Sequence, residues 1–277
     1  MQLTDLLGPA LRDGYAVPAF NVVDGAMMAG VVAAAHRVHS PVILQVSERI
    51  ARALGPKHFK TSFDQLVAET DTTAILHLDH CGDPALVEAC LSAGWDSALY
   101  DASHLPFGEA VRTTTEVVRT AERYGAQIEG EFERIGRVTV ADEPAVRPVS
   151  DSVTFIRKTG VACFSPAVGT LHGRYVTAPR LQPERVEEIV RACGIPQVLH
   201  GATGLDDAVL QEFVDRGVSK INFSTVLKGA HTDAVRSHAA ERGYELEPLN
   251  LFLDIRTRVT KVAEHYMVVL QSHGRAS

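Results

Sequence analysis

The stretch TAILHLDHCGDPALVEACLSAGWDSALYD (73–101) contains two short apolar segments that are predicted to be strands, TAILHL (73–78) and SALYD (97–101). Between them, DPALVEACLSAG (83–94) has helical periodicity, an acidic start and a glycine after its last apolar residues. A strand, a helix and a second strand within about thirty residues are typical of a unit with two parallel strands. The stretch therefore predicts an α/β fold built on a parallel sheet.

The same alternation of apolar segments and helical stretches runs along the whole chain. Eight segments are predicted to be strands: AVPAFN (16–21), PVILQV (41–46), TAILHL (73–78), SALYD (97–101), AQIEGEF (126–132), VACFSPA (161–167), PQVLHG (196–201) and SKINFST (219–225). Helical stretches such as GAMMAGVVAAAHRVH (25–39) and QPERVEEIVRACG (182–194) separate them, and no linker is evident. We therefore expect residues 1–277 to form one (β/α)8 TIM barrel domain, with its active site at the C-terminal ends of the strands.

Composition limits the possible partners and the compartment. The chain has 277 residues, 45% of them hydrophobic, a net charge of −7 and no long run of lysine and arginine, which argues against nucleic acid or an anionic membrane as the main partner. The N-terminal segment MQLTDLLGPALRDG (1–14) carries charges within its apolar stretch, so it resembles neither a signal peptide nor a spanning helix. The four cysteines lack CxxC spacing. We expect a cytoplasmic protein with reduced thiols.

Three histidines follow predicted strands or the turns after them. His80 and His200 come at the ends of the third and seventh strands, and His172 follows the sixth by a short Gly-Thr loop, while Asp79 lies beside the first histidine. Imidazoles at the ends of different strands can converge on one divalent metal, as in a catalytic site with an open position. Other polar residues also end or follow predicted strands, five strands in all: Asn21, Ser47, Asp101, Glu131, and Asn222 with Thr225 on the eighth.

Four of these segments are similar to the motifs of a known enzyme family. HLDHC (77–81), VGTLHGRY (168–175), VLHGATGL (198–205) and KINFSTVL (220–227) resemble blocks of the class II, zinc-dependent ketose-bisphosphate aldolases, which include fructose- and tagatose-bisphosphate aldolases. The resemblance covers nearly the whole chain in order. It implies a TIM barrel that makes or cleaves a carbon–carbon bond, with Zn²⁺ or another divalent metal as cofactor, a small phosphorylated sugar as substrate, and a homodimer or homotetramer.

The resemblance also implies roles for individual residues. His80, His172 and His200 match the zinc ligands, Glu131 matches a carboxylate that binds the metal in an alternative position, and Asp79 matches the catalytic acid/base. The positions that cradle the phosphate and hydroxyl end of dihydroxyacetone phosphate are matched by Gly173, Gly201, Thr203, Asn222, Ser224 and Thr225, and the substrate-facing rim by Asn21 and Ser47.

Each of these roles has a structural alternative. A histidine at a strand end can serve as a structural hydrogen-bond partner, and Asp79 could orient a ligand instead of moving a proton. Asp101 is either a helix N-cap or a neighbour of the metal. Cys81 is expected to be a packed small side chain. Because neighbouring side chains alternate along a strand, Asp79 is expected to leave the backbone in a different direction from His80 and to face substrate.

Two segments depart from the family pattern. After the fifth strand the chain reads EFERIGRVTVADEPAVRPVS (131–150), with Thr139 where the family has a proton-transferring acid, so Asp142 or Glu143 is expected to supply the carboxylate. Near the C-terminus, EPLN (247–250) has Leu249 where bisphosphate-specific relatives carry an arginine that reaches the second phosphate across a subunit boundary. Arg256 and Arg258 lie about two turns further along a predicted helix, so neither is a direct replacement.

These observations favour a metal-dependent aldolase that uses dihydroxyacetone phosphate and a non-standard aldehyde in a specialised pathway. A conventional fructose- or tagatose-bisphosphate aldolase is the alternative within the class. A metal-dependent phosphosugar isomerase or epimerase is the alternative from another reaction class, and a barrel that binds phosphosugars without catalysis is the third.

Overall fold

The computed structural model describes residues 1–136, 146–173, 175, 178–242 and 247–276. Its eight strands form a closed barrel in sequence order, each parallel to its neighbours, and the eighth pairs with the first. The strands are β1 (Val17–Asn21), β2 (Val42–Ser47), β3 (Ala74–Cys81), β4 (Ser97–Asp101), β5 (Gln127–Glu131), β6 (Cys163–Phe164), β7 (Gln197–Leu199) and β8 (Val218–Phe223). The predicted fold class is confirmed.

Helices surround the barrel. They are α1 (Leu3–Asp13), α2 (Gly25–Val38), α3 (Glu48–Leu54), α4 (Pro56–Thr70), α5 (Pro84–Ser92), α6 (Phe107–Arg123), α7 (Val149–Thr159), α8 (Glu184–Cys193), α9 (Asp207–Asp215), α10 (Thr225–Arg242) and α11 (Pro248–Val269). Within the described ranges, no helix is both long and apolar enough to cross a membrane.

The alternation of side chains along the strands produces two apolar cores. Phe20, Leu44 and Leu76 belong to the larger cluster between the strands and the helices, whereas their neighbours Ala19 and Ile43 belong to a smaller cluster with α1. Because neighbouring residues of a strand point to opposite faces, the second cluster lies inside the barrel. Helix α1 therefore closes the N-terminal end of the barrel, and the opposite, C-terminal end stays available for a site.

The sixth and seventh strands are shorter than the sequence predicts. Strand β6 ends at Phe164 instead of continuing to residue 167, and β7 ends at Leu199 instead of residue 201. Pro166 has no N–H to donate to a ladder, and Gly201 has a φ of 70°, in the left-handed region that leaves the extended conformation. The apolar sequence continues past both points, but the backbone pairing does not.

Candidate metal centre and active site

The three predicted histidines lie together at the C-terminal end of the barrel. The ring centroids of His80 and His200 are 4.5 Å apart, those of His80 and His172 are 4.9 Å apart, and those of His172 and His200 are 5.9 Å apart. One ring nitrogen from each residue lies within 4.8 Å of the other two. The structure thus brings together side chains that are up to 120 residues apart in sequence.

The histidine nitrogens lie close together, and two of them are nearer to each other than two ligands of one zinc ion would be. His80 Nε2 and His200 Nδ1 are 2.8 Å apart, while the other ring nitrogen of His200, Nε2, is 2.9 Å from Glu129 Oε1. Zinc bound at about 2.0–2.1 Å to each nitrogen would place such nitrogens roughly 3.4 Å apart. If the His200 Nε2 proton is donated to Glu129, the Nδ1 lone pair faces the centre of the cluster. Burial, together with the neighbouring imidazole of His80, lowers the pKa of His200 well below its usual value.

A carboxylate cluster lies on the other side of His80. Asp101 Oδ2 is 3.9 Å and Glu131 Oε2 is 3.8 Å from His80 Nδ1, and the three residues form a second group with metal-ligand spacing. Glu131 Oε2 is buried and has no hydrogen-bond partner in the described part of the chain. Burial, followed by the charges of Asp101, Glu129 and Asp79, raises the pKa of Glu131 well above its usual value. A bound cation would give this buried oxygen the partner that it does not have among the described residues.

The contacts of Asp101 bear on the two roles that the sequence leaves open for it, a helix N-cap or a neighbour of the metal. Its Oδ1 accepts a hydrogen bond from the backbone N–H of Ser103 at 2.9 Å, whereas the residue that precedes α6 is Pro106. Asp101 therefore shapes the turn after β4 and does not cap the helix. Its second oxygen remains directed towards His80.

Asp79 and His80 border the same cavity. The register between β3 and β4 shifts between Leu78 and Cys81, and His80 has a φ of 45°, in the left-handed region. Such a bulge changes the direction of a side chain relative to a regular strand, and here both Asp79 and His80 line the cavity. Asp79 Oδ1 lies 3.9 Å from His80 Nε2.

Asp79 is held by two asparagines. Asn21 Nδ2 donates to Asp79 Oδ2 at 2.8 Å, and Asn222 Nδ2 lies 3.4 Å from Asp79 Oδ1. Burial raises the pKa of Asp79, but the imidazoles of His80 and His200 and the amide of Asn21 outweigh it, so the pKa lies below its usual value. The carboxylate is thus fixed in position beside the histidines and favours its ionised form.

A small cavity of about 90 Å³ adjoins the histidines on the side of β7 and β8. Every residue predicted to cradle the phosphate lines it: Gly173, Gly201, Thr203, Asn222, Ser224 and Thr225. A Cβ at Gly201 would lie 2.6 Å from the Leu171 carbonyl oxygen, so the turn requires glycine there. Helix α10 begins at Thr225, and unpaired N–H groups in the first turn of a helix suit an anion.

A larger cavity of about 1110 Å³ opens on the side of β2 and β4. It adds Ser47 and Asp101, and it shares seven lining residues with the smaller cavity: Asn21, Asp79, His80, His172, Gly173, Ser224 and Thr225. Both rim positions proposed from the sequence, Asn21 and Ser47, therefore border a cavity that also contains Asp79. The arrangement leaves room for a substrate that extends in both directions from the histidines.

Asp142 and Glu143, like Thr139, lie outside the described residues. Leu249 lies in the first turn of α11 with 62% of its surface exposed, and neither cavity is lined by it or by Arg256 or Arg258.

Sequence reasoning missed a charged layer inside the barrel below the histidines. Lys220 Nζ donates to Glu129 Oε2 at 2.6 Å, and His77 Nδ1 is 2.8 Å from Ser97 Oγ. All four side chains are fully buried. His77, Glu129 and Lys220 each precede a site residue by two positions, and the period of a strand places residues two apart on the same face. That spacing was the signal that could have revealed them.

The charged layer leads to a stability prediction. Lys220→Met is expected to lower the free energy of unfolding by about 3–5 kcal/mol, because the Glu129 carboxylate would remain buried without its cation. Urea unfolding followed by circular dichroism measures the change. A variant with both Glu129→Met and Lys220→Met should recover part of the loss, since it leaves no buried unpaired charge but removes the acceptor of the His200 Nε2 proton. A single variant within about 1 kcal/mol of wild type would contradict this account.

The fold and the histidine cluster define a class of protein, the metal-dependent enzymes with a (β/α)8 barrel. Comparison with known proteins narrows the class. The sequence model of the family "Fructose-bisphosphate aldolase class-II" matches residues 1–275. The chain belongs to this class II fructose-bisphosphate aldolase family, and its members are metal-dependent lyases.

Individual relatives support the assignment over the full length. A protein of Geobacillus stearothermophilus named "Fructose-bisphosphate aldolase" is 33% identical over 285 residues, which cover 100% of this chain and 99% of the relative. The crystal structure of the YdjI aldolase from Escherichia coli K12 has a TM-score of 0.86 and 25% identity and covers 100% of both chains. Fructose-bisphosphate aldolase from Campylobacter jejuni, with a TM-score of 0.84, 20% identity, and coverage of 98% of this chain and 94% of its own, shares the fold.

Proposed function

We propose that this class II aldolase joins dihydroxyacetone phosphate to an aldehyde, or cleaves the corresponding product, with Zn²⁺ held by His80, His172 and His200. One observation carries the proposal. Asp79 borders both the small cavity with the phosphate-type turns and the larger cavity that opens beyond the histidines. A reacting bond beside Asp79 would then have its phosphorylated half in one cavity and its aldehyde half in the other.

The small cavity suits the phosphorylated half. The turn at Gly201, the hydroxyl of Thr203 and the start of α10 at Thr225 offer backbone N–H and hydroxyl donors, which bind phosphate well. A zinc ion held by the histidines would act as a Lewis acid for the negative charge that develops on the ketone half. Glu131 is proposed as its alternative ligand, on the strength of its unpartnered oxygen.

Asp79 is the proposed acid/base for the carbon–carbon bond. In cleavage, its carboxylate would take the proton of the hydroxyl on the carbon that becomes the aldehyde, and the bonding electrons would pass to the dihydroxyacetone phosphate half. The hydrogen bond from Asn21 supports this role, because it holds the carboxylate at the boundary of the two cavities. Asp142 or Glu143 is the proposed donor of the proton to the carbon left behind.

The aldehyde is proposed to differ from that of the bisphosphate-specific enzymes. Leu249 offers no charge where those relatives have an arginine, and it lines neither cavity of this chain. The alternative within the class is a conventional fructose- or tagatose-bisphosphate aldolase, which is favoured by the name of the Geobacillus stearothermophilus relative. We also propose that residues 1–277 form a single domain and that the enzyme is a homodimer or homotetramer.

Product analysis separates these substrates. The zinc-loaded enzyme is incubated with dihydroxyacetone phosphate and a panel of aldehydes, and the products are identified by mass spectrometry and NMR. We expect condensation with at least one aldehyde other than glyceraldehyde 3-phosphate, and only slow cleavage of fructose 1,6-bisphosphate. A kcat/KM for that cleavage above about 10⁴ M⁻¹s⁻¹ would instead identify a conventional aldolase. No condensation with any aldehyde would contradict the proposal as a whole.

A further inference from the structure

The larger cavity has basic residues on its outer wall. Arg49 and Arg52 lie on α3, Arg134 follows β5, and Lys228 lies in the first turns of α10. Asp79, Asp101 and Glu131 line the same cavity close to the histidines, while Glu48, also on α3, lines it beside the arginines and pairs with Arg52. The basic side chains are absent from the lining of the small cavity, where the phosphate of the ketone half is proposed to bind.

The basic residues differ in whether their charge is already neutralised. Arg52 Nη2 is 2.9 Å from Glu48 Oε1 and 2.6 Å from Asp83 Oδ2, so two carboxylates neutralise it. Arg49, three residues earlier on the same helix, is exposed and makes no ion pair with any described residue. Lys228 is also exposed and has no ion pair in the part of the chain that the structure describes.

An aldehyde whose carbonyl group reacts beside Asp79 would extend into the larger cavity. The end of the aldehyde opposite the carbonyl group would then contact Arg49 and Lys228. We propose that Arg49, assisted by Lys228, binds an anionic group, a carboxylate or a phosphate, on the aldehyde substrate. The guanidinium of Arg49 presents paired N–H donors that match either group, whereas Lys228 offers a point charge. Arg49, on α3, would thus bind the anionic end of the aldehyde in this chain, as an arginine at the position of Leu249 does in bisphosphate-specific relatives. The inference rests on the proposed aldolase function.

Matched aldehydes test the assignment. With saturating dihydroxyacetone phosphate, kcat/KM is measured for glyceraldehyde against glyceraldehyde 3-phosphate and for butanal against succinic semialdehyde. Arg49→Gln should lower kcat/KM for at least one anionic aldehyde by about 10–100-fold, because a hydrogen bond to a charged group is lost. The neutral aldehydes should change by less than about threefold. A lower kcat/KM for glyceraldehyde 3-phosphate would indicate that the site binds a phosphate. A lower kcat/KM for succinic semialdehyde would indicate that it binds a carboxylate.

Three further variants control the comparison. Arg191→Gln removes an equally exposed arginine on α8, outside both cavities, and should leave all four aldehydes unchanged. Arg49→Lys should restore part of the loss by returning the charge, and Lys228→Met should reproduce it on a smaller scale. Equal losses for charged and neutral aldehydes, or no loss for any, would overturn the proposal.

A binding measurement keeps the inference separate from the reaction itself. Titration of 3-phosphoglycerate and of succinate into enzyme saturated with dihydroxyacetone phosphate is followed by calorimetry. Wild type should bind at least one of them, and Arg49→Gln should raise that Kd tenfold or more. An unchanged Kd, or no binding of either acid to wild type, would contradict an anion site at Arg49. If instead the binding result holds and no aldehyde is condensed, the proposed function fails and the anion site remains.

Discussion

Removal of the metal with a chelator is expected to slow the condensation of dihydroxyacetone phosphate with any accepted aldehyde by about 10³-fold or more. Lewis-acid stabilisation of the developing charge contributes several kcal/mol to the transition state, and about 4 kcal/mol corresponds to a factor of 10³. Glu131, the buried acidic side chain beside the histidines, cannot replace the metal ion as a Lewis acid. The rate is measured after dialysis against the chelator, with the metal content verified by mass spectrometry.

Restoration with zinc completes this experiment. Activity should return on addition of about one equivalent of Zn²⁺ per chain, which is the stoichiometry of a site with three histidines. His200→Ala should bind zinc weakly and recover little activity, whereas His231→Ala should behave as wild type, because His231 is paired with Asp24 and lines neither cavity. Undiminished turnover in a sample verified to be metal-free would contradict the zinc mechanism.

Asp79→Ala is expected to lower kcat by about 10²–10⁴-fold while zinc binding is retained. General acid–base catalysis contributes this much when one positioned group moves the proton. Of the residues proposed to cradle the phosphate, Asn222 alone is hydrogen-bonded to the Asp79 side chain in the described part of the chain, at 3.4 Å, and the turn at Gly201–Thr203 does not contact that side chain in this way. The KM for dihydroxyacetone phosphate should therefore change less than kcat. Steady-state kinetics and zinc titration of the same preparation measure both quantities.

Asp83→Asn is the matched control for Asp79→Ala. Asp83 is four residues further along the chain, lines neither cavity and caps α5 through the backbone N–H of Ala85. Asparagine also serves as an N-cap and keeps an oxygen for Arg52, which retains Glu48 as its ionic partner, so the variant should fold and turn over normally. Full activity of Asp79→Ala would indicate instead that Asp79 only orients a ligand. It would also reopen the interpretation of a barrel that binds phosphosugars without catalysis.

Much of the fold could be predicted from local patterns. The βαβ unit in residues 73–101 appears in the structure as β3, α5 and β4, because short apolar segments and a helix with an acidic start are specified by neighbouring residues. The ends of β6 and β7 could not be predicted in this way. A strand ends where its partner no longer offers hydrogen bonds, and that depends on residues far away in sequence.

The candidate site, like the fold, could be predicted only in part from local sequence. The candidates selected at the ends of strands come together at one end of the barrel, since parallel strands of a barrel all end on one face. The bulge at His80 was missed because a positive φ for a histidine has no local sequence signal. The pairing of Glu129 with Lys220, 91 residues apart, was missed for a different reason. In the sequence, a charged residue that is buried in the fold cannot be distinguished from an exposed one unless its ion-pair partner is known.

The sequence by itself determined the order of strands and helices, the closure into an eight-membered barrel and the histidines at its C-terminal end, because each follows from periodicity and from short motifs. Only the tertiary structure decided which carboxylates face His80, which cavity wall carries Arg49, and that Leu249 lies outside both cavities. Those relations are distances between side chains on different strands and helices. They are set by how the strands and helices pack, which no local stretch of sequence specifies.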